Sequence, residues 1–187
     1  MSEKREQILT TALKLFVENG FHATPTSKIA KESGVATGTL FHYFKTKEEL
    51  INTLYLETKD VLIQAISKDI DHQETIKGKL RQLFFNAISW AVTYPEQQLF
   101  YYQFSHSPFI SKMTKEIGLQ RFQFIYEILR QGQEHDILKA VPIDLMFEAI
   151  QGILNGITKH LMNYPDKIND QHYMENAFRM YWDALKG

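Results

Sequence analysis

The 187-residue sequence predicts an all-α fold of about nine helices. Three observations carry this expectation. Apolar residues recur three and four positions apart along most of the chain, the period of a helix with one buried face. Glycine and proline number only nine and five, so long regular elements run with few breaks. Those few breakers, with hydroxyl and amide residues beside them, fall where one periodic run stops and the next begins. With 44% apolar residues, a sizeable core can form and disorder is not expected.

The first predicted helix, 4–19, carries Ile8, Ala12, Leu15 and Phe16 on one side with Leu9 and Leu13 beside them. Asn19-Gly20 stops it, because glycine enters the left-handed cap without strain. Thr24-Pro25 predicts the second start, a hydroxyl cap followed by proline at the first helical position. That helix is short and ends at Gly34. A third short helix is expected over 37–43. Thr46 opens a fourth, with Glu49 three residues on completing a capping box, and its pattern extends to about Ile70. A fifth spans 74–94, halted by Pro95, and a sixth 96–104. Ser107-Pro108 predicts a seventh running to about Gln133, with Gly118 as a bend or break. The eighth covers 142–163, up to Tyr164-Pro165. Asn169 or Asp170 caps the ninth, to Leu185.

Composition removes several function classes. There is no cysteine, hence no disulfide, thiolate metal site or thiol catalysis. The start MSEKREQ lacks the apolar segment of a secretory signal, and no run of about 18 apolar residues exists, so the cytoplasm is the expected compartment. The net charge of -1 conceals an asymmetry. Residues 1–47 hold seven basic and four acidic side chains, whereas the remaining 140 hold 14 and 18. A basic head on an acidic body suggests an anionic partner for the head.

Two short helices joined by a glycine turn suggest a helix-turn-helix. Ala30 is small where the helices must cross, Gly34 permits a positive φ, and Ile29, Val35 and Leu40 supply the apolar wedge. The stretch GVATGTLFHYFKTKEEL, residues 34–50, then sharpens the picture. Together with Leu15-Phe16, Gly20-Phe21 and Ile29-Ala30, its Gly34-Val35, Gly38-Thr39-Leu40-Phe41, Phe44 and Lys47-Glu48-Glu49-Leu50 resemble the N-terminal module of TetR-type transcriptional regulators. The resemblance covers about residues 5 to 55; beyond it, only length and all-helical character agree.

The resemblance implies a DNA-binding domain over 1–47 and a helical ligand-binding and dimerisation domain over 48–187. It makes 37–43 the recognition helix, with Gly38 bringing its backbone close to the major groove while Leu40 and Phe44 face inward. Thr37, Thr39, Phe41, His42 and Tyr43 are then the contact candidates, Phe41 having core packing as its alternative. Lys45 and Lys47 suit phosphates, and Thr26, Ser27 and Lys28 offer hydroxyls, amides and a charge to the DNA backbone. Two departures stand out. Ala36-Thr37 replaces the usual Ser-Lys or Ser-Arg pair, and Phe41 replaces the usual tyrosine. The phosphate contacts are therefore few, and log affinity should fall by about 0.9 per neutralised phosphate with log salt.

Aromatic residues crowd the middle of the chain. Most suit core packing, but the family's helices in this region enclose a cavity for an inducing molecule. Candidates for that role are Phe85, Trp90, Phe104 and Phe122, with Tyr101, Gln103 and Tyr126 orienting a ligand that is apolar or aromatic. Asn155 either faces the cavity or fixes register at a subunit interface. The last two long helices are the expected homodimer surface, through Met146, Ile150, Ile153, Ile157, Leu161, Phe178, Tyr181, Trp182 and Leu185. Gly152 and Gly156, four apart, would let a partner helix come close.

The expected function is a sequence-specific regulator, a repressor on a near-palindromic operator, released by a small molecule. The alternative is a DNA-binding regulator whose body recognises a protein. No catalytic residue, metal or cofactor is expected. Glu-x-x-His pairs, Gly-x-Ser-x-Gly and phosphate-binding loops are all missing from the sequence.

Overall fold

A computed structural model describes residues 3–105 and 107–187; the first two residues of the polar start lie outside this description. The described residues form ten α-helices and one 3-10 turn. The helices are α1 (Glu3–Asn19), α2 (Thr26–Glu32), α3 (Thr37–Tyr43), α4 (Lys47–Ile66), α5 (Ile76–Thr93), α6 (Pro95–Phe104), α7 (Lys112–Gln120), α8 (Gln123–Glu134), α9 (Ile143–Asn163) and α10 (Gln171–Leu185). The 3-10 turn is Pro165–Asn169. None of these helices is long and apolar enough to cross a membrane. Packing groups the chain into two compact units. One holds the described residues up to Val61 with Tyr94–Gly118, the other Leu62–Thr93 with Leu119–Gly187.

In the first unit, α1 buries the six apolar residues expected of it, Ile8, Leu9, Ala12, Leu13, Leu15 and Phe16. Phe16 stacks on Phe21 with ring centroids 5.8 Å apart and meets Phe104 of α6 at 6.1 Å. Phe104 is thus a core residue of this unit. Gly20 ends α1 at φ 75°. Thr24 does not cap α2, contrary to expectation. Its hydroxyl is fully buried and lies within hydrogen-bond reach of Leu15 O (3.1 Å) and Gly20 O (2.7 Å), two carbonyls at the end of α1. A carbonyl orphaned at a helix end needs a donor, and that need takes the hydroxyl.

The Thr46 cap forms, with Glu49 N donating to Thr46 Oγ1 at 3.0 Å. The Glu49 carboxylate returns to Lys45 N (2.6 Å), one residue ahead of the usual capping-box donor. Arg5 of α1 bonds Glu57 of α4. Asn52 fastens the segment after α6, donating to Phe109 O and accepting from Ser111 N, both at 2.9 Å. Residues 107–111 are turns, so the predicted seventh helix starts only at Lys112 and is really two helices. It breaks at Phe122 (φ -94°, ψ 6°), three to four residues past Gly118. Gly118 sits inside α7, where a Cβ would lie 2.9 Å from Nζ of the buried Lys59. Its smallness serves packing.

In the second unit, α5 packs on α8, α9 and α10. Phe84 is fully buried, with Phe178 and Tyr181 of α10 at 5.6 and 5.3 Å. Asn86 of α5 donates to Ile66 O (3.1 Å) and Lys68 O (2.7 Å), and Asp69 turns with φ 59°. The helical pattern toward Ile70 is thereby cut at Ile66, and α4 spans about 30 Å at 1.5 Å per residue. Asp170 caps α10 by accepting from Tyr173 N at 3.0 Å, as expected.

Candidate nucleic-acid interface

The candidate interface is built on α3, a helix of seven residues. Its entry is fixed by the turn before it. Gly34 takes φ 70°, which a side chain resists, and Val35 N closes the turn on Ala30 O at 3.0 Å. Two side chains hold α3 down, Leu40 with no exposure and Phe44 with 2%. The Arg5 guanidinium lies 5.6 Å from the Phe44 ring centroid.

The opposite side of α3 faces out. Thr37, Gly38, Phe41 and His42 are exposed, and Thr39 and Tyr43 half-buried. Phe41 at 39% exposure is not a core residue, which removes its alternative reading. His42 and Tyr43 meet edge to face, with ring centroids 5.4 Å apart. A Cβ added at Gly38 would find nothing within 4 Å. Lys45 is exposed, with Nζ 3.3 Å from His42 O at the negative end of α3.

Lys47 is placed differently from its expected phosphate role. Its ammonium donates to Phe21 O and sits 4.1 Å from the Phe21 ring centroid. Burial lowers its pKa from the ordinary lysine value, with Glu48 opposing the shift. Lys47 thus braces the α1–α2 connection. At the start of α2, Ser27 is exposed, while Thr26 and Lys28 are half-buried. Lys28 Nζ is 4.0 Å from Glu32. The sequence reading missed Arg5 as a support behind α3, and took Thr24 as the cap of α2 where it instead serves the end of α1. Arg5 meets Phe44, just past the end of α3, and Glu57 of α4, 39 and 52 residues away, which no local pattern announces.

A solvent-facing short helix, seated by two buried side chains after a glycine turn, has the geometry of a recognition helix. The family model "Bacterial regulatory proteins, tetR family" matches residues 8–54. A crystal structure of a putative TetR family transcription regulator from Shewanella sp. PV-4 is similar over the whole of both chains, with 36% identity and a TM-score of 0.94. The chain belongs to the TetR family. It is a DNA-binding transcriptional regulator. The "Fatty acid metabolism regulator protein" of Bacillus subtilis is 41% identical over 83 residues, a match spanning 43% of each chain and so less than half of that relative. The FadR regulator of Bacillus subtilis, solved with stearoyl-CoA, shares the fold at a TM-score of 0.78 and 23% identity, over 96% of this chain and 98% of that one.

The residues expected to line an effector cavity divide between the two units. Tyr101 and Phe104 belong to the first unit; Phe85, Trp90, Phe122, Tyr126 and Asn155 belong to the second. Tyr101 stacks on Tyr55 at 5.9 Å, and Tyr126 stacks on Phe147 at 4.6 Å. Gln103 points to solvent, on the exposed side of α6, and Asn155 is half-exposed rather than a buried amide. Phe122 and Trp90 are buried at 4% and 2% exposure, and Phe85 is half-buried on the outer side of α5.

The expected dimer stripe divides in two. Met146, Ile150, Leu161, Phe178, Tyr181 and Leu185 are consumed by the protomer's own core, at 4% exposure or less, and leave almost no surface for a second subunit. Gly152 and Gly156 are exposed, and Ile153 and Ile157 half-buried. With Tyr173 and Met180 of α10 they line an apolar groove of about 510 Å³. Trp182 is half-buried on another side of α10, under the Lys77 ammonium.

Proposed function

We propose that this regulator is a homodimeric repressor whose two α3 helices enter successive major grooves of a near-palindromic operator, about 34 Å apart. Residues 1–47 form the DNA-binding module in this reading and 48–187 the body. The observation that carries it is the outward side of α3. Thr37, Gly38, Thr39, Phe41, His42 and Tyr43 present hydroxyls, rings and a bare backbone, while Leu40 and Phe44 are spent on the protein. Thr39 meets a base edge or a thymine methyl. Phe41, without a hydroxyl, makes apolar contact. Ser27 and Lys45 meet phosphates, and Lys28 stands close behind.

Dimerisation uses the α9–α10 groove, where the two exposed glycines admit a partner helix. Release follows binding of an apolar small molecule to the body. The stearoyl-CoA bound by the solved Bacillus subtilis FadR, and the fatty-acid metabolism named for the Bacillus subtilis relative, support a lipid-like effector. Such an effector must bind the form that holds DNA poorly, and DNA then weakens it by the same factor.

The test is footprinting on the chain's own upstream DNA, repeated with Thr39→Ala. A protected, roughly symmetric site is expected, and the variant relaxes choice at one base pair, by about 1–3 kcal/mol of discrimination. A duplex left unprotected at every salt concentration, or an unaltered site preference in the variant, counts against the assignment.

A further inference from the structure

On the α5–α10 side of the second unit two concavities adjoin. The first, about 440 Å³, is mainly apolar, with Phe85, Ile88 and Val92 of α5 facing Ile168 and Met174. The second, about 300 Å³, is cationic and aromatic, with Lys77, Arg81 and Arg179 around Phe178 and Trp182. Arg81 and Glu175 line both and bond each other, so the two concavities meet at this ion pair.

The sequence of α5 explains the gradient. Lys77, Arg81, Phe85, Ile88 and Val92 are spaced by four, four, three and four residues, and so share one face of the helix. Along about 22 Å of axis that face passes from two cations through an aromatic ring to two aliphatic side chains. The cations rest on rings. Lys77 Nζ is 5.3 Å from the Trp182 centroid, and Arg81 Cζ is 4.5 Å from that of Phe85 and 5.9 Å from that of Phe178. Glu175 takes Arg81, and Asp183 takes Lys186. Lys77 and Arg179 close no salt bridge among the described residues, although both, after Lys186, help hold the Asp183 carboxyl below its ordinary value, so the positive end of the groove offers a partner two cations that share one nearby carboxylate.

The groove also stays clear of the proposed subunit contact. At 100° per residue, Glu175, Phe178, Arg179 and Trp182 point away from Tyr173, Ala177 and Met180 on α10. A second subunit seated on the α9–α10 groove leaves this side open.

We propose that the α5–α10 groove binds an amphipathic anion, a long-chain carboxylate, with its head at Lys77 and Arg179 and its chain along Phe85, Ile88 and Val92. A charge gradient along an apolar trough selects a molecule with the complementary gradient: the chain covers the water-accessible surface of Phe85 and Val92 above the buried Ile88, and the head meets the Lys77 ammonium, held over Trp182, and the exposed Arg179 guanidinium. A short acid lacks the chain, and a cationic amphiphile meets like charge.

The experiment is calorimetric titration of the full chain, without DNA, with laurate below its micellar concentration. Saturable binding of one laurate per chain is expected, with dodecyltrimethylammonium at least tenfold weaker. The double variant Lys77→Gln/Arg179→Gln, at exposed positions, should weaken laurate tenfold or more. So should Val92→Glu, which puts a carboxylate in the apolar end of the groove. The proposal is overturned by a lack of saturable binding, by equal affinity for the cationic amphiphile, or by unchanged laurate affinity in both variants. Because no DNA is present, each of those results leaves the operator reading untouched.

Discussion

Gly38→Ala separates the demands of the fold from those of DNA. Gly38 lies inside α3 with an ordinary helical φ, is exposed, and has no atom within 4 Å of where a Cβ would stand. Nothing in the protein requires glycine there. Glycine inside a helix instead costs about 0.5–1 kcal/mol relative to alanine. The variant should therefore be more stable by about that amount, which for a chain of this size raises Tm by about 1–4 °C. If α3 enters a major groove, the new methyl meets the duplex where the backbone must come close. Operator affinity should fall at least tenfold, about 1.4 kcal/mol. Thermal unfolding followed by circular dichroism gives the first quantity, and fluorescence anisotropy on an operator duplex gives the second. The reasoning is refuted if the variant melts lower, or if it melts higher and binds DNA as before.

Three further outcomes follow from the same structure. Lys45→Ala should weaken binding to all DNA sequences alike and reduce the log–log salt slope by about 0.9 for each copy of the residue, read from anisotropy titrations at several salt concentrations. Gly156→Leu, which places a branched chain on the open α9–α10 groove, should turn a dimer into monomers in sedimentation velocity while leaving the helical spectrum intact. Burial pushes the Tyr55 phenol up to about 12 from its ordinary 10, and Tyr181 shifts the same way. A raised folded pKa means that the stability is whole below pH 10 and drains as pH climbs from 10 toward 12. Tyr55 alone accounts for about 3 kcal/mol of that loss. Urea unfolding between pH 9 and 12 should show the decline, and Tyr55→Phe should flatten it.

Features set by neighbouring residues were legible in the sequence. Gly20 and Gly34 stop α1 and α2 with positive φ because the turn itself demands it, and α3 falls on 37–43 as the flanking signals say. Asp170 caps α10 for the same local reason. Features set at a distance were not legible. α4 stops at Ile66, where Asn86, twenty residues on, takes the last carbonyl of the helix and that of Lys68 just beyond it. Gly118 looked like a breaker, but its partner is Lys59, 59 residues earlier, and the break lies beyond it. Thr24 looked like a cap until the end of α1 was seen to need its hydroxyl. Periodicity also does not distinguish a helix face turned to its own core from one turned to another subunit. Six residues of the expected dimer stripe therefore proved to be core, while the bare glycines between them kept their outward place.

The brevity of α3 has a consequence for how this regulator loosens. Seven residues without a side-chain cap fall well short of the 12–15 or so at which a helix persists alone. Its shape is borrowed from α1 and α2 through Leu40 and Phe44. A duplex that grips α3 must then slow the opening of amides deep in α1 that it never touches, and hydrogen exchange along Ile8–Phe16 becomes a remote gauge of operator occupancy.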